Sequence, residues 1–154
     1  MLKYVDTKVT FAEVPNEISL CINISNCPCN CKGCHSSYLA EDIGEELNNP
    51  SLKELISNNK GITCVSFMGG DSSPSKINAL AQWVKINYPI KTAWYSGRQE
   101  LSKDINLNNF NFIKLGPYIE DLGPLNSKTT NQKFYKVEEG KLVDITNLFW
   151  KDSD

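Results

Sequence analysis

The chain has 154 residues, 40% hydrophobic and 22% charged, with a net charge of −2. That length fits one compact domain over 1–154 rather than two, and the charge offers no basic field for nucleic acid or an anionic membrane. No apolar run approaches the roughly 20 residues that span a bilayer, and the opening Met-Leu-Lys-Tyr-Val-Asp lacks the pattern of a secretory signal. The expected compartment is therefore the cytoplasm, where thiols stay reduced. This bears directly on the six cysteines, four of which fall within residues 27–34.

In chain order, residues 17–24 alternate polar with apolar (Ile18, Leu20, Ile22, Ile24), the period of a half-buried strand. Leu52, Leu55 and Ile56 share one helical face, with a stop at Asn58-Asn59-Lys60-Gly61. Residues 62–68 form a compact apolar run bounded by glycines and are expected to be a buried strand. Ser73-Pro74 supplies an N-cap and a first-turn proline, and Ile77, Leu80, Ala81 and Val84 continue that helix at the right spacing. A strand over 90–95 ends at Ser96-Gly97, a helix is expected over 98–103, and a further strand over 112–115. Alternating strands and helices are the pattern of parallel βαβ units. A closed eightfold barrel needs about 250 residues, so an open or partial barrel, or a small doubly wound sheet, is the expected architecture. Two short strands over 133–137 and 141–145 read as a hairpin around Glu139-Gly140, packed on the main sheet.

The cysteine segment reads Cys27-Pro28-Cys29-Asn30-Cys31-Lys32-Gly33-Cys34-His35. Three and then two residues separate Cys27, Cys31 and Cys34. Thiolates so close in sequence converge on one centre only if the backbone coils tightly, which Pro28, Asn30 and Gly33 suit. The segment also begins where a strand ends, the usual place for ligands in α/β proteins. A disulfide conflicts with a reducing compartment. A structural zinc on four thiols, or on three plus His35, fits the donor types but lacks the usual second Cys-x-x-Cys knuckle. An iron–sulfur cluster fits closely spaced thiolates. Cys29 is then either a closing fourth ligand or a bystander, and the Cys-x-Cys strain favours the bystander. Cys21 and Cys64, within strands, read as small buried hydrophobes.

The Cys-x-x-x-Cys-x-x-Cys pattern resembles the signature of the radical S-adenosylmethionine superfamily. Phe67-Met68-Gly69-Gly70-Asp71 resembles that family's Gly-Gly-Glu/Asp turn, and Trp94-Tyr95-Ser96-Gly97 a Trp-x-Tyr-Thr/Ser-Gly segment. Gly116-Pro117-Tyr118-Ile119 and Thr129-Thr130-Asn131-Gln132 are similar to the C-terminal stretch of one subgroup, the anaerobic ribonucleoside-triphosphate reductase activating proteins, which are glycyl-radical activases. The turn departs from the common Gly-Gly-Asp-Pro, since Ser72 and Ser73 precede Pro74. Lys114-Leu115 also stands where relatives often carry an acidic residue, so no acidic ligand is carried across there.

The resemblance implies an open partial (β/α) barrel of radical-SAM type, with mostly parallel strands and a short C-terminal hairpin. It implies a [4Fe–4S] cluster on Cys27, Cys31 and Cys34, with the fourth iron left to chelate S-adenosylmethionine. Gly33, His35, Gly69, Gly70, Asp71 and Ser96 would face that cofactor. Reductive cleavage would give a 5′-deoxyadenosyl radical, which takes hydrogen from a glycine of an anaerobic ribonucleoside-triphosphate reductase; flavodoxin or ferredoxin would supply electrons. No acid–base pair is expected, and His35 is the only histidine. Two other readings stay open: a radical enzyme acting on a small molecule or peptide, and a non-enzymatic zinc or iron–sulfur module closed by Cys29. Taken singly, Gly69-Gly70-Asp71 is a strand-to-helix turn, His35 a loop histidine, and Trp83 and Trp94 core residues.

Overall fold

The computed structural model describes residues 2–11, 13–25, 44–117 and 119–149. Ten regular elements follow one another: β1 (Lys3–Thr10), β2 (Ser19–Ile24), β3 (Glu45–Glu46), α1 (Asn49–Ser57), β4 (Cys64–Met68), α2 (Pro74–Asn87), β5 (Lys91–Tyr95), β6 (Phe112–Leu115), β7 (Lys133–Glu138) and β8 (Lys141–Asp144). They build one mixed sheet of order β3-β1-β2-β4-β5-β6-β7-β8.

Parallel pairing is confined to the centre, where β2, β4, β5 and β6 run side by side. Both flanks are antiparallel. The sheet is therefore mixed where mostly parallel strands were expected. Antiparallel neighbours need only short returns, whereas each parallel neighbour demands a long crossover.

The alternation in β2 decides which face meets the helices. Leu20, Ile22 and Ile24 join Val65, Phe67, Trp94 and Ile113 in one buried cluster with Leu52 and Ile56 of α1 and Ile77, Leu80 and Val84 of α2. Burying each such aliphatic or aromatic side chain contributes roughly 1.5–3 kcal/mol, so this layer dominates the core. The opposite face carries a smaller cluster of Val14, Cys64, Ala93, Phe112 and Phe134. There the Phe134 ring meets Phe149 edge-on, with centroids 4.8 Å apart.

Local signals account for the helix starts. Asn48 caps α1 by accepting from the Ser51 amide at 2.9 Å, and the Ser51 hydroxyl accepts from the Asn48 amide in return. Ser73 occupies the N-cap of α2 with Pro74 behind it, but its side chain makes no cap hydrogen bond. The hairpin forms as expected, with a two-residue turn at Glu139 and Gly140, both at positive φ.

Two expectations need correction. Residues 98–103 form a loop, not a helix. The Arg98 amide donates to the Ser96 hydroxyl and the Arg98 carbonyl accepts from the Gly116 amide, so neither serves a helical ladder. Conversely, β1 was not foreseen. None of its residues is buried, so it carries no hydrophobic signal; its β-branched Val5, Thr7, Val9 and Thr10 are the cue that it holds.

Candidate functional site

The C-terminal ends of β2, β4, β5 and β6 lie side by side, which brings the expected motifs to one edge of the sheet. Residues 26–43 lie outside the described residues, and with them Cys27, Cys29, Cys31, Gly33, Cys34 and His35. What the structure does define is the stem of that segment. Tyr4 of β1 pairs with Ile24 on one side and with Glu45 on the other. The Ser25 amide donates to the Lys3 carbonyl at 2.9 Å, and the Leu47 amide to the Leu2 carbonyl at 2.8 Å. The segment thus leaves and re-enters the fold across a single strand, about 10 Å apart at two ladder spacings. Gly44 makes the return possible. A Cβ there would sit 2.2 Å from the Tyr4 carbonyl oxygen, and its φ is +103°.

Beside the exit of β2 stands the Gly69–Gly70 turn. Both residues have positive φ, +113° and +90°, which favours glycine. Added Cβ atoms would approach the Ile24 carbonyl oxygen at 3.2 Å and Ile77 Cδ1 at 2.6 Å. The turn is therefore pressed against the last residue of the strand that enters the cysteine segment. Three hydrogen bonds hold it. The Gly69 amide donates to the Tyr95 carbonyl at 3.0 Å, the Trp94 indole Nε1 to the Gly69 carbonyl at 2.6 Å, and the Ser73 amide to the Gly70 carbonyl at 3.0 Å.

Asp71 and Ser96, 25 positions apart, meet in a buried tie. The Ser96 hydroxyl donates to Asp71 Oδ1 at 2.5 Å and the Gly97 amide to Oδ2 at 2.8 Å. The same hydroxyl accepts from the Arg98 amide at 3.1 Å. Lys114 completes the tie, its ammonium donating to the Ser96 carbonyl at 3.1 Å and the Gly116 carbonyl at 2.7 Å. Asp71, Ser96 and Lys114 are 4%, 1% and 8% exposed. Burying such groups is costly unless each is hydrogen-bonded, as these are. Asp71 and Ser96 were expected to face a cofactor, and the structure places these polar contacts on each other and on neighbouring backbone. Lys114, noted from the sequence only as a departure where relatives often carry an acidic residue, is a member of the site.

The last two motifs also converge. The Asn131 side-chain amide donates to the Pro117 carbonyl at 3.1 Å, and a Cβ on Gly116 would meet Gln132 Cα at 3.1 Å. A cleft of about 770 Å³ opens on the same edge, lined in part by Pro74, Gly97, Arg98, Leu101 and Pro117.

The two strand cysteines play no part in this edge as ligands. Cys21 and Cys64 are free and buried. Burial pushes their thiols up to about 12 and about 11 respectively, which disfavours the thiolate form that a metal takes. Among the described residues no group of three or more His, Cys, Asp or Glu side chains could hold a metal ion, and no helix is long and apolar enough to cross a membrane.

The dense thiol set of residues 27–34 suits a cluster by donor chemistry, and the glycine turn is packed directly beside its stem, against Ile24 and Ile77. Comparison with known families agrees. The model of the 4Fe-4S single cluster domain matches residues 18–137, a span that takes in all four parallel strands, the cysteine segment and most of β7. No curated protein and no solved structure matches the chain.

Proposed function

We propose that this chain, which belongs to the 4Fe-4S single cluster domain family, is a radical S-adenosylmethionine enzyme that installs a glycyl radical on an anaerobic ribonucleoside-triphosphate reductase. The observation that carries the reading is the convergence of the cysteine-segment stem and the pinned Gly69–Gly70 turn on one edge of parallel strands. We read the sheet as the open partial barrel of that superfamily.

In this reading Cys27, Cys31 and Cys34 would hold the cluster and Cys29 would stand aside, so that three thiolates serve a four-iron centre. An open position on a metal is what admits a substrate. A cluster held there would supply the one-electron reduction that cleaves a C–S bond of the sulfonium into methionine and a 5′-deoxyadenosyl radical. The protein's part is to position and to exclude. Gly69 and Gly70 would present bare backbone to the methionine end, and the packing of the turn against Ile24 and Ile77 holds that backbone in place. The Asp71–Ser96–Lys114 tie fixes the ends of β5 and β6 against the turn. Gly33 and His35 stand beside the last ligand and take the adenine side, and Ser96 contributes through its place in the tie.

The cleft lies open at the edge, which suits a loop of a partner protein bearing the target glycine. A flavodoxin or ferredoxin supplies the electron, and the reducing cytoplasm is the compartment that such chemistry requires.

The test is anaerobic reconstitution with iron and sulfide, followed by dithionite and S-adenosylmethionine, with 5′-deoxyadenosine read by chromatography. Wild type is expected to give product and Cys31→Ala none. A brown protein that makes no product would instead indicate electron transfer, and a colourless protein holding zinc would sink the reading.

A further inference from the structure

A turn that needs two glycines for close approach has the least intrinsic stiffness of any dipeptide, because glycine has the widest backbone freedom. Something outside the turn must set its orientation. Two of its three hydrogen bonds come from β5, through the Tyr95 carbonyl and the Trp94 indole. Of the three, only the indole bond is made by a side chain.

That bond fixes more than one atom. The peptide between Gly69 and Gly70 is a planar trans unit, so the Gly69 carbonyl and the Gly70 amide point in opposite directions. Holding the carbonyl on the indole fixes where the Gly70 amide points. A rotation of this peptide would cost a glycine pair little in backbone terms, yet here it would leave a carbonyl and an indole N–H unpaired. Trp94 is 1% exposed, so water does not replace the lost partner.

We propose that Trp94 is a positioning residue for the nucleoside cofactor: its indole N–H holds the Gly69–Gly70 peptide in the orientation that S-adenosylmethionine binds. The inference rests on the proposed function, since it takes that cofactor as the ligand of the turn. It assigns to a core tryptophan a polar role that its burial alone does not reveal. Packing needs only the ring, which sits beside Phe110 with centroids 6.5 Å apart. The turn needs the N–H.

The experiment compares Trp94→Phe with Phe110→Leu in reconstituted anaerobic protein. The first keeps an aromatic ring and removes the donor, while the second loosens the same packing and keeps the donor. Readouts are iron and sulfide per chain, the unfolding midpoint, and the Kd for S-adenosylmethionine by equilibrium dialysis. Trp94→Phe is expected to hold a full cluster and bind the cofactor about three- to tenfold more weakly, the effect of one lost orienting hydrogen bond. Phe110→Leu is expected to lower the midpoint and leave the Kd within about twofold. Equal binding by Trp94→Phe and wild type overturns the inference, as does an equal loss in Phe110→Leu. Failure of Trp94→Phe to take up a cluster also overturns it, because the residue would then act through the fold. Wild type that holds a cluster but does not bind the cofactor overturns the proposed function itself, and the role of Trp94 falls with it.

Discussion

Gly44→Ala tests the stem of the cysteine segment directly. The added methyl would lie 2.2 Å from the Tyr4 carbonyl oxygen, 2.7 Å from its carbon and 3.2 Å from the Val5 nitrogen. All three are backbone atoms of β1, so no side chain can swing away to make room. The φ of +103° adds strain of about 1–3 kcal/mol for a residue with a Cβ. The clash is relieved only by drawing β3 off β1, which loses the Lys3–Glu46 and Tyr4–Glu45 pairings and the bond from the Leu47 amide to the Leu2 carbonyl. At about 0.5–1.5 kcal/mol for each of these three, added to the strain, the local cost comes to about 2.5–7.5 kcal/mol. Gly61→Ala is the matched control. Its φ is +90°, but no atom lies within 4 Å of the added Cβ, so it carries the strain without the clash. The assay is iron and sulfide retained per chain after anaerobic desalting, alongside urea unfolding of the unreconstituted protein. Gly44→Ala is expected to lose most of its iron, and Gly61→Ala to keep it with a small drop in midpoint. Equal retention in the two variants would refute the idea that the stem clamps the segment.

Two further outcomes follow from the buried polar groups. Lys114→Met removes an ammonium that serves two carbonyls and stands beside a buried carboxylate's partner. It is expected to lower the unfolding free energy by about 2–4 kcal/mol, and a change under about 0.5 kcal/mol in urea melts would show that the tie contributes little to stability. For Cys64, burial raises the thiol from 9.0 to about 11. The unfolded chain then loses this proton before the folded chain does, so its contribution is present below pH 9 and is lost as pH rises towards 11. Unfolding free energy should fall by about 1.4 kcal/mol per pH unit for this thiol in that window. Urea melts at pH 8, 9 and 10 should therefore show a shallower decline in Cys64→Ala than in wild type, and identical slopes would refute the assignment.

The central elements were legible because their apolar periods match their burial. Leu20, Ile22 and Ile24 alternate and are buried together, and Ile77, Leu80, Ala81 and Val84 recur at helical spacing and face the same cluster. Glu139-Gly140 announced its turn by composition. β1 escaped notice because pairing, not burial, holds it in place: Tyr4 is bonded into a ladder on both sides while no residue of the strand is buried. The expected helix over 98–103 failed for the complementary reason, since Arg98 spends its backbone groups on Ser96 and Gly116. The site divides in the same way. Motifs at strand ends could be read one by one, but sequence order gives no hint that Asp71 meets Ser96, that Asn131 meets Pro117, or that Trp94 reaches Gly69. The first and third arise from parallel register, which pairs Phe67 with Trp94 and Trp94 with Ile113 and so lines up the three strand ends, and the second follows from the antiparallel pairing of β6 with β7.

The character of the tie argues for what that edge is built to do. Ser96 takes Asp71 on its hydroxyl and Lys114 on its carbonyl, so opposite charges flank one residue in the protein interior. Buried charge of this kind is a weak source of stability, because well-packed apolar residues of similar volume often serve as well or better. What it supplies is geometry, since each bond has a required length and direction and a misplaced strand end leaves a charge unpaired. The hypothesis that follows is one of placement. The apolar cluster on the helix face keeps the chain folded, while the polar tie and the indole bond at the strand ends hold the edge in register. If so, Lys114→Met should weaken cofactor binding more than Phe110→Leu does when the two are compared at equal loss of unfolding free energy.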